Sequence, residues 1–391
     1  MKLGKAAAWL GSGAIAAGVA AYAVKTQLEE RRGRPKASPY PLAREPIGRR
    51  LEVVHEFHGA PIPTGVTVSR TGRVFICHPR WEDPVAFTVG ELRDGVEVPF
   101  PSAELNDPSH PDHLFSVQSV VVDPSDRLWA LDTGSLNMAP IKGREWAKLV
   151  GIDLATGQVV KTIRFPSDVV HRKTYLNDVR FDLRRGAEGM AFITDSSSKG
   201  GIIVVDLASG RSWRKLHDHP SVKPDRTFFA LVETTLLPPF LGSDGISLEA
   251  SGMRLWFCAL SSRAIHSVSL DALADEQLAD DEVARTLYTE RRSFASDGLE
   301  ADAQGNLYLT DWEHNAVIVR RADGRYETLV EDPRMWWPDT LSVTDDGWLY
   351  FTANQLHRLP KLHLGRDQRE GPAYLFRIGC GGTAIRLGAS G

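Results

Sequence analysis

The sequence predicts an all-β fold, a six-bladed propeller, from three observations. One short pattern recurs six times between Pro63 and Leu359. Each copy holds apolar runs rich in Val, Ile, Leu, Trp, Tyr and Phe, bounded by Gly, Asp, Asn and Ser, which is the chemistry of strands and tight turns. No long stretch of the repeats has helical periodicity, although Leu270 to Leu287 has room for a short helix.

The copies follow in order. PTGVTVSRTGRVFICHPRW starts at Pro63, QSVVVDPSDRLWALDTG at Gln118 and LNDVRFDLRRGAEGMAFITDSSSKGGIIVVDLASG at Leu176. SDGISLEASGMRLWFCALSSRAIHSVSLDA at Ser243 and SDGLEADAQGNLYLTDWEHNAVIVRRADG at Ser296 overlay almost without gaps, and PDTLSVTDDGWLYFTANQLHRL starts at Pro338. Equivalent positions Thr64, Ser119, Asp178, Asp244, Asp297 and Asp339 are 55, 59, 66, 53 and 42 residues apart, which suits four-stranded blades with variable loops. LEVVHEF from Leu51 and AYLFRIGC from Ala373 read as strands outside the repeats; pairing them in one blade would close the ring and remove two exposed edges.

Residues 51–391 are therefore assigned to the propeller, and residues 1–50 are a different object. Lys2 and Lys5 precede the uncharged stretch from Ala6 to Val24, so residues 1–25 are expected to be an export signal or membrane anchor, with Ala21-Tyr22-Ala23 as a candidate cleavage site. The competing assignment is a flexible basic tail, because five Lys and Arg from Lys25 to Lys36 outnumber the two before the stretch; residues 26–50 are a basic linker. The expected location is extracytoplasmic, secreted or anchored, with membrane contact only through this segment.

Net charge is −4, but the first fifty residues hold ten basic and three acidic residues, leaving 36 basic against 47 acidic in the body. An acidic body with no basic stripe excludes nucleic acid as the expected partner and leaves cations and small neutral or cationic molecules. Cys77, Cys258 and Cys380 are isolated, which reads as buried free thiols. A monomer is expected.

If each copy begins with its innermost strand, the strand starts converge on one mouth of the central tunnel. That rim would gather Thr64, Ser119, Asn177, Asp178, Asp244, Asp297 and Asp339, with Asp132, Asp195, Ser196, Ser261, Asp311, His314 and Asn354 from the turns after the second strands. Several carboxylates with an Asn carbonyl make an oxygen-rich site for Ca2+ or another divalent cation, which would relieve their repulsion. The alternative is that each Asp accepts hydrogen bonds from its own turn and only closes a blade. His314 is a candidate base by position alone. His217 and His219 lie in a long polar connection that could form a lid, and Trp312, Trp336 and Trp337 are assigned by default to blade cores.

The run from Tyr175 through Asp225 and the run DGISLEASGMRLWFCALSSRAIHSVSLDAL from Asp244 resemble the major royal jelly protein and yellow family, microbial members included. The resemblance extends from about Arg50 to Ile378, with LNDVRFD, ITDSS and LSSR its most specific segments. It implies a six-bladed, usually exported protein, in a family that includes pigment proteins associated with dopachrome conversion and salivary members that bind biogenic amines in the tunnel. A more distant similarity is to the gluconolactonase and senescence-marker family of calcium-dependent lactonases, through Asn177-Asp178-Val179, Ser243-Asp244-Gly245 and Ser296-Asp297-Gly298. That match implies Asp297 as metal ligand and general base, Asp244 in place of an Asn ligand, and Asn177 on metal or substrate. The sequence departs from those enzymes in the first blade, where Pro63-Thr64-Gly65 replaces a Glu ligand, leaving Asp339 or Asp178 to supply the charge.

Two functions follow. In the first, an enzyme acts on a small cyclic carbonyl compound, by lactone hydrolysis or dopachrome-like tautomerisation. Asp297 or His314 moves the proton, Asp297, Asp244 and Asn177 hold a divalent cation, and Asn177, Asp178, Asp195, Ser261, Asp339 and Asn354 contact substrate. In the second, the same rim only binds an amine or aromatic small molecule.

Overall fold

In the computed structural model, which describes residues 46–388 apart from positions 47, 60, 82 and 142–146, six four-stranded antiparallel sheets form a ring. The segment expected to be a signal or anchor lies outside the described residues. Blade 1 comprises Gly65–Val68, Val74–Cys77, Val89–Arg93 and Val96–Pro99, and blade 2 comprises Val117–Val122, Arg127–Asp132, Lys148–Asp153 and Val159–Arg164. Blades 3, 4 and 5 open on the inner strands Leu176–Asp182, Ser243–Leu248 and Leu299–Ala301. Blade 6 runs outward from Pro338–Val343 through Trp348–Ala353 and Ala373–Gly379 to Leu51–Phe57, so the first strand of the propeller closes the last blade, Leu51 pairing with Ile378 and Phe57 with Ala373.

The middle strands read as continuous apolar runs because both of their faces are buried between blades. Phe192 of blade 3 packs toward Ile246 and Phe257 of blade 4, while its neighbour Ile193 points back toward Trp129 and Leu149 of blade 2. Equivalent clusters join every adjacent pair, including blades 6 and 1 through Tyr350, Leu375, Val66 and Ile76. Leu270–Ala274 and Asp280–Ala284 are short helices, inside the stretch expected to hold one. The three cysteines are free and buried.

Candidate functional site

Two local devices aim the rim side chains. The first is a bulge: inner-strand register shifts between Leu176 and Val179, between Ser243 and Ile246, and between Pro338 and Leu341, at the positions of Asn177-Asp178, Asp244-Gly245 and Asp339-Thr340. A bulge re-aims side chains and frees backbone groups. Second-strand threonines catch those groups: Thr194 Oγ1 accepts from the Asp178 N–H at 3.1 Å, and Thr310 Oγ1 from the Gly298 N–H at 2.9 Å. The second device is glycine. A Cβ on Gly245 would lie 2.1 Å from the Asp297 carbonyl oxygen, and one on Gly298 2.3 Å from that of Asp339. Only glycine lets consecutive inner strands approach this closely, which draws Asp244, Asp297 and Asp339 together.

These three carboxyls and Asn177 line a cavity of about 340 Å³ together with Trp81, Tyr175, Trp337 and Phe240, several leucines and Lys361. Asp244 and Asp297 are hydrogen-bonded to each other. Burial, then repulsion from Asp297 and Asp339, holds the Asp244 carboxyl well above the usual range. Burial pushes Asp297 up to about 6, opposed by the Trp337 indole N–H, which donates to Asp297 Oδ2 at 2.7 Å, and by the bond to Asp244. Asp339 is raised by burial and by Asp297, while Asn354 Nδ2 donates to its Oδ2 at 2.7 Å. The pair therefore shares a proton near neutrality: one acid and one base within reach of the same ligand.

Away from this cavity Arg180 reaches from blade 3 to the Leu299 carbonyl of blade 5 at 2.9 Å. Asp178 accepts from Ser119 Oγ at 2.6 Å and from Arg180 at 2.9 Å, and Arg180 also pairs with Glu300 at 3.1 Å. The cavity is covered by the hairpin Ala230–Val232/Thr235–Leu237 with its following residues, and by the segment 356–362. Glu233 at the hairpin turn clasps that segment, through Arg358 at 2.5 Å and His357 at 3.1 Å.

The structure thus brings Asn177, Asp244, Asp297 and Asp339 to one cavity, and sends the other expected site residues elsewhere. Asp178 lies deeper, spent on Arg180. Asn354 braces Asp339 and the Pro63 carbonyl. Asp195 is corrected to a turn-closing residue: it accepts from the N–H groups of Tyr175 at 3.0 Å and Ser197 at 2.9 Å, and from Arg214 at 2.7 Å. Asp132 and Asp311 act alike, accepting from the N–H groups of Ser116 and Glu313. His314, the candidate base, is held by Asp311 at 2.8 Å and does not line the cavity. Ser261 Oγ accepts from the N–H of Phe240 at 3.0 Å and of Leu241 at 3.2 Å, under the cover rather than in the cavity.

The expected lid histidines are also displaced: His219 caps the short helix Pro220–Val222 and His217 bonds the Gly200 carbonyl. Among the residues missed, Trp337 had been assigned to a core. Tyr175, which donates to Gln118 Oε1 at 2.7 Å and accepts from Trp81 Nε1 at 2.8 Å, had only its place beside Asn177 to mark it.

Against the expected divalent cation, the donors are a poor shell as arranged. No group of three or more His, Cys, Asp or Glu side chains among the described residues is disposed to hold a metal ion. Asp244 and Asp297 bond each other, and in the first blade Thr64 Oγ1 is spent on the Gln118 carbonyl at 3.1 Å.

A family model described as Major royal jelly protein matches residues 115–375. The dopaminechrome tautomerase of Drosophila melanogaster is 27% identical over 164 residues, which cover 39% of this chain and 35% of that protein. Protein yellow of Drosophila subobscura is 26% identical over 270 residues, covering 62% of this chain and 47% of that protein. The matched stretches span about a third to a half of these relatives' own length. Among solved structures, the calcium-binding protein regucalcin from Agrobacterium tumefaciens matches with a TM-score of 0.53 at 15% identity, over 88% of this chain and 99% of that one. A gluconolactonase from Xanthomonas campestris matches with a TM-score of 0.52 at 14% identity, over 89% and 99%. At those identities the likeness is one of fold.

Proposed function

The chain belongs to the major royal jelly protein family, and from that membership and the tunnel-mouth geometry we propose that it is an exported monomer that moves a proton within a small, flat cyclic carbonyl compound, a tautomerisation of the dopaminechrome kind. The observation that carries the proposal is the hydrogen-bonded Asp244–Asp297 pair in an aromatic-walled cavity. Trp81, Tyr175 and Phe240 offer aromatic surface for a planar ring, while Trp337, 1% exposed and stacked on Trp312, contributes its N–H. The Asp297 carboxylate takes a proton from a ring C–H, and the Asp244 carboxylic acid gives one to the carbonyl oxygen. The double bond shifts, atoms balance and no oxidant is consumed. The relative whose printed name is dopaminechrome tautomerase supports this choice. Export rests on the leader from Lys2 to Val24.

Lactone hydrolysis is the competing reaction, and a divalent cation enters it as a competitor for the shared proton, held by Asp244, Asp297 and Asn177 once their hydrogen bond opens. Binding of an amine or aromatic molecule without turnover is the second reading, favoured by the same aromatic walls. The test follows the visible absorbance of dopaminechrome with wild type and Asp297→Asn, beside a panel of lactones. Accelerated decay that Asp297→Asn abolishes supports tautomerisation. Lactone turnover alone replaces it, and saturable binding with no turnover of either class leaves the binding protein.

A further inference from the structure

We propose that the cover of the cavity is a docking surface for an anionic lipid bilayer, in addition to any contact made by the N-terminal segment. The hairpin Ala230–Val232/Thr235–Leu237 sends alternate side chains to opposite faces, as strands do, and both faces are apolar. Ala230, Val232 and Leu237 are buried beneath it in one cluster with Trp312 and Trp337. Leu231 and Leu236, paired across the two strands, face outward and are 66% and 39% exposed. A hairpin that meets only water carries polar side chains on that face. Beside it, Leu364 is 95% exposed in a turn with φ +55°, left-handed backbone that disfavours leucine. The turn is tied to the hairpin by Thr235 Oγ1 and His363 Nε2, 3.4 Å apart. Phe240 and Leu362, 42% and 39% exposed, also line the cavity, so the patch is the cavity's own cover. Exposed apolar side chains gathered in this way mark an interaction site.

Charge selects the occupant. The body as a whole, 36 basic against 47 acidic residues, is repelled by an anionic surface. The run Lys361-Leu362-His363-Leu364-Gly365-Arg366 is the reverse: it brackets two exposed leucines between cations and holds no acid. Lys361 Nζ lies over the Trp81 ring at 5.4 Å, and Arg366 is exposed. The acids that border the run are held by arginines, Asp367 by Arg369 at 2.6 Å and Glu233 by Arg358 at 2.5 Å. Leucines that enter the acyl boundary while Lys and Arg stay among the headgroups are the chemistry of an interfacial contact with anionic lipid. A second copy docked face to face would set the same cations against each other.

The test uses the full chain, with an environment-sensitive thiol dye on Leu364→Cys or, as control, on Met253→Cys. Met253 is 66% exposed in the turn that follows the inner strand Ser243–Leu248, at the opposite mouth of the tunnel. Cys77, Cys258 and Cys380 are buried, so the dye reports the introduced position. Both labelled chains carry the same N-terminal segment, and a difference between them therefore belongs to the propeller. Vesicles containing phosphatidylglycerol should move the Leu364 dye to the blue and leave the Met253 dye in place. Adding Arg366→Gln to the Leu364→Cys chain should lower the ratio of shifted to unshifted emission roughly fivefold, the share of one cation at an anionic surface. A Leu364 dye indifferent to these vesicles, or one that shifts no more than the Met253 dye, overturns the proposal. So does an equal shift with phosphatidylcholine alone, which takes the cations out of the contact. A shift that grows with protein concentration in the absence of lipid overturns it in favour of a second copy. None of these readings depends on turnover.

Discussion

Replacing Asp297 by Asn should flatten the pH dependence of stability in a defined window. Burial raises the folded-state value of Asp297 from 3.8 to about 6. Folding then binds the proton more tightly than the unfolded chain does, so the stabilising contribution is complete below pH 3.8 and is lost as pH rises through about 6. At about 1.4 kcal/mol for each tenfold change in acidity, the loss is about 3 kcal/mol. With an unfolding entropy of about 2 cal/mol/K per residue over roughly 330 residues, this lowers the thermal midpoint by ~4 °C. The assay is denaturant and thermal unfolding of wild type and Asp297→Asn at half-unit steps from pH 3.5 to 7.5. Asn keeps an oxygen for the Trp337 N–H and carries no charge. The difference between the two unfolding free energies should therefore change by about 3 kcal/mol across the window in favour of the variant. Parallel curves would show that Asp297 does not titrate in a buried, crowded setting, and the acid–base assignment would fall with it.

Three further outcomes follow from particular contacts. Gly298→Ala puts a Cβ 2.3 Å from the Asp339 carbonyl oxygen, a backbone atom that cannot swing aside; unfolding experiments should show a loss of about 3 kcal/mol, the upper end for overpacking. Arg180→Met leaves Asp178 and Glu300 without their shared cation, and denaturant titration at neutral pH should show a loss of about 3–5 kcal/mol that shrinks on acidification. Calorimetry with calcium should show no binding that depends on Asp297, because the pair is satisfied by a proton; binding abolished by Asp297→Asn would restore a metal-dependent lactonase reading.

The strands, the blade count and the closing strand were legible because inter-blade burial writes apolar runs into the chain at every blade. The acid pair was legible for a different reason. Asp244-Gly245 and Asp297-Gly298 carry the glycine that close backbone approach demands, so their identity encodes proximity. Asp195 and Asp311 stand in equally polar surroundings in sequence, but each is followed by a residue with a side chain and turns back onto backbone N–H groups. His314 misled because a histidine in a turn beside Asp311 looks like a base whichever way the turn points. The cover was missed for a similar reason: His217 and His219 drew attention by their chemistry, while the covering hairpin is marked only by a two-residue Glu233-Thr234 turn between short apolar strands. Trp337 could not be separated from a core tryptophan, since its stacking on Trp312 is core packing and only its N–H serves the site.

The vertical order of charges in the tunnel has a consequence for any ligand. Asp178 and Glu300 share the one cation Arg180, and burial pushes Glu300 up to about 7, so the deeper acids are largely offset. The donors on Asp339 and Asp297 are neutral, the side chains of Asn354 and Trp337, and Lys361 lines the same cavity. A compound entering between the aromatic walls meets carboxyls whose raised acidity constants hold protons for exchange. It must take a proton, give one, or bring positive charge of its own. A neutral ring with neither an exchangeable C–H nor a basic nitrogen would gain only the stacking term. Affinity for matched planar ligands should therefore rise with the ligand's basicity, and equilibrium binding of such a series would show no trend if the three acids were already ionised and screened.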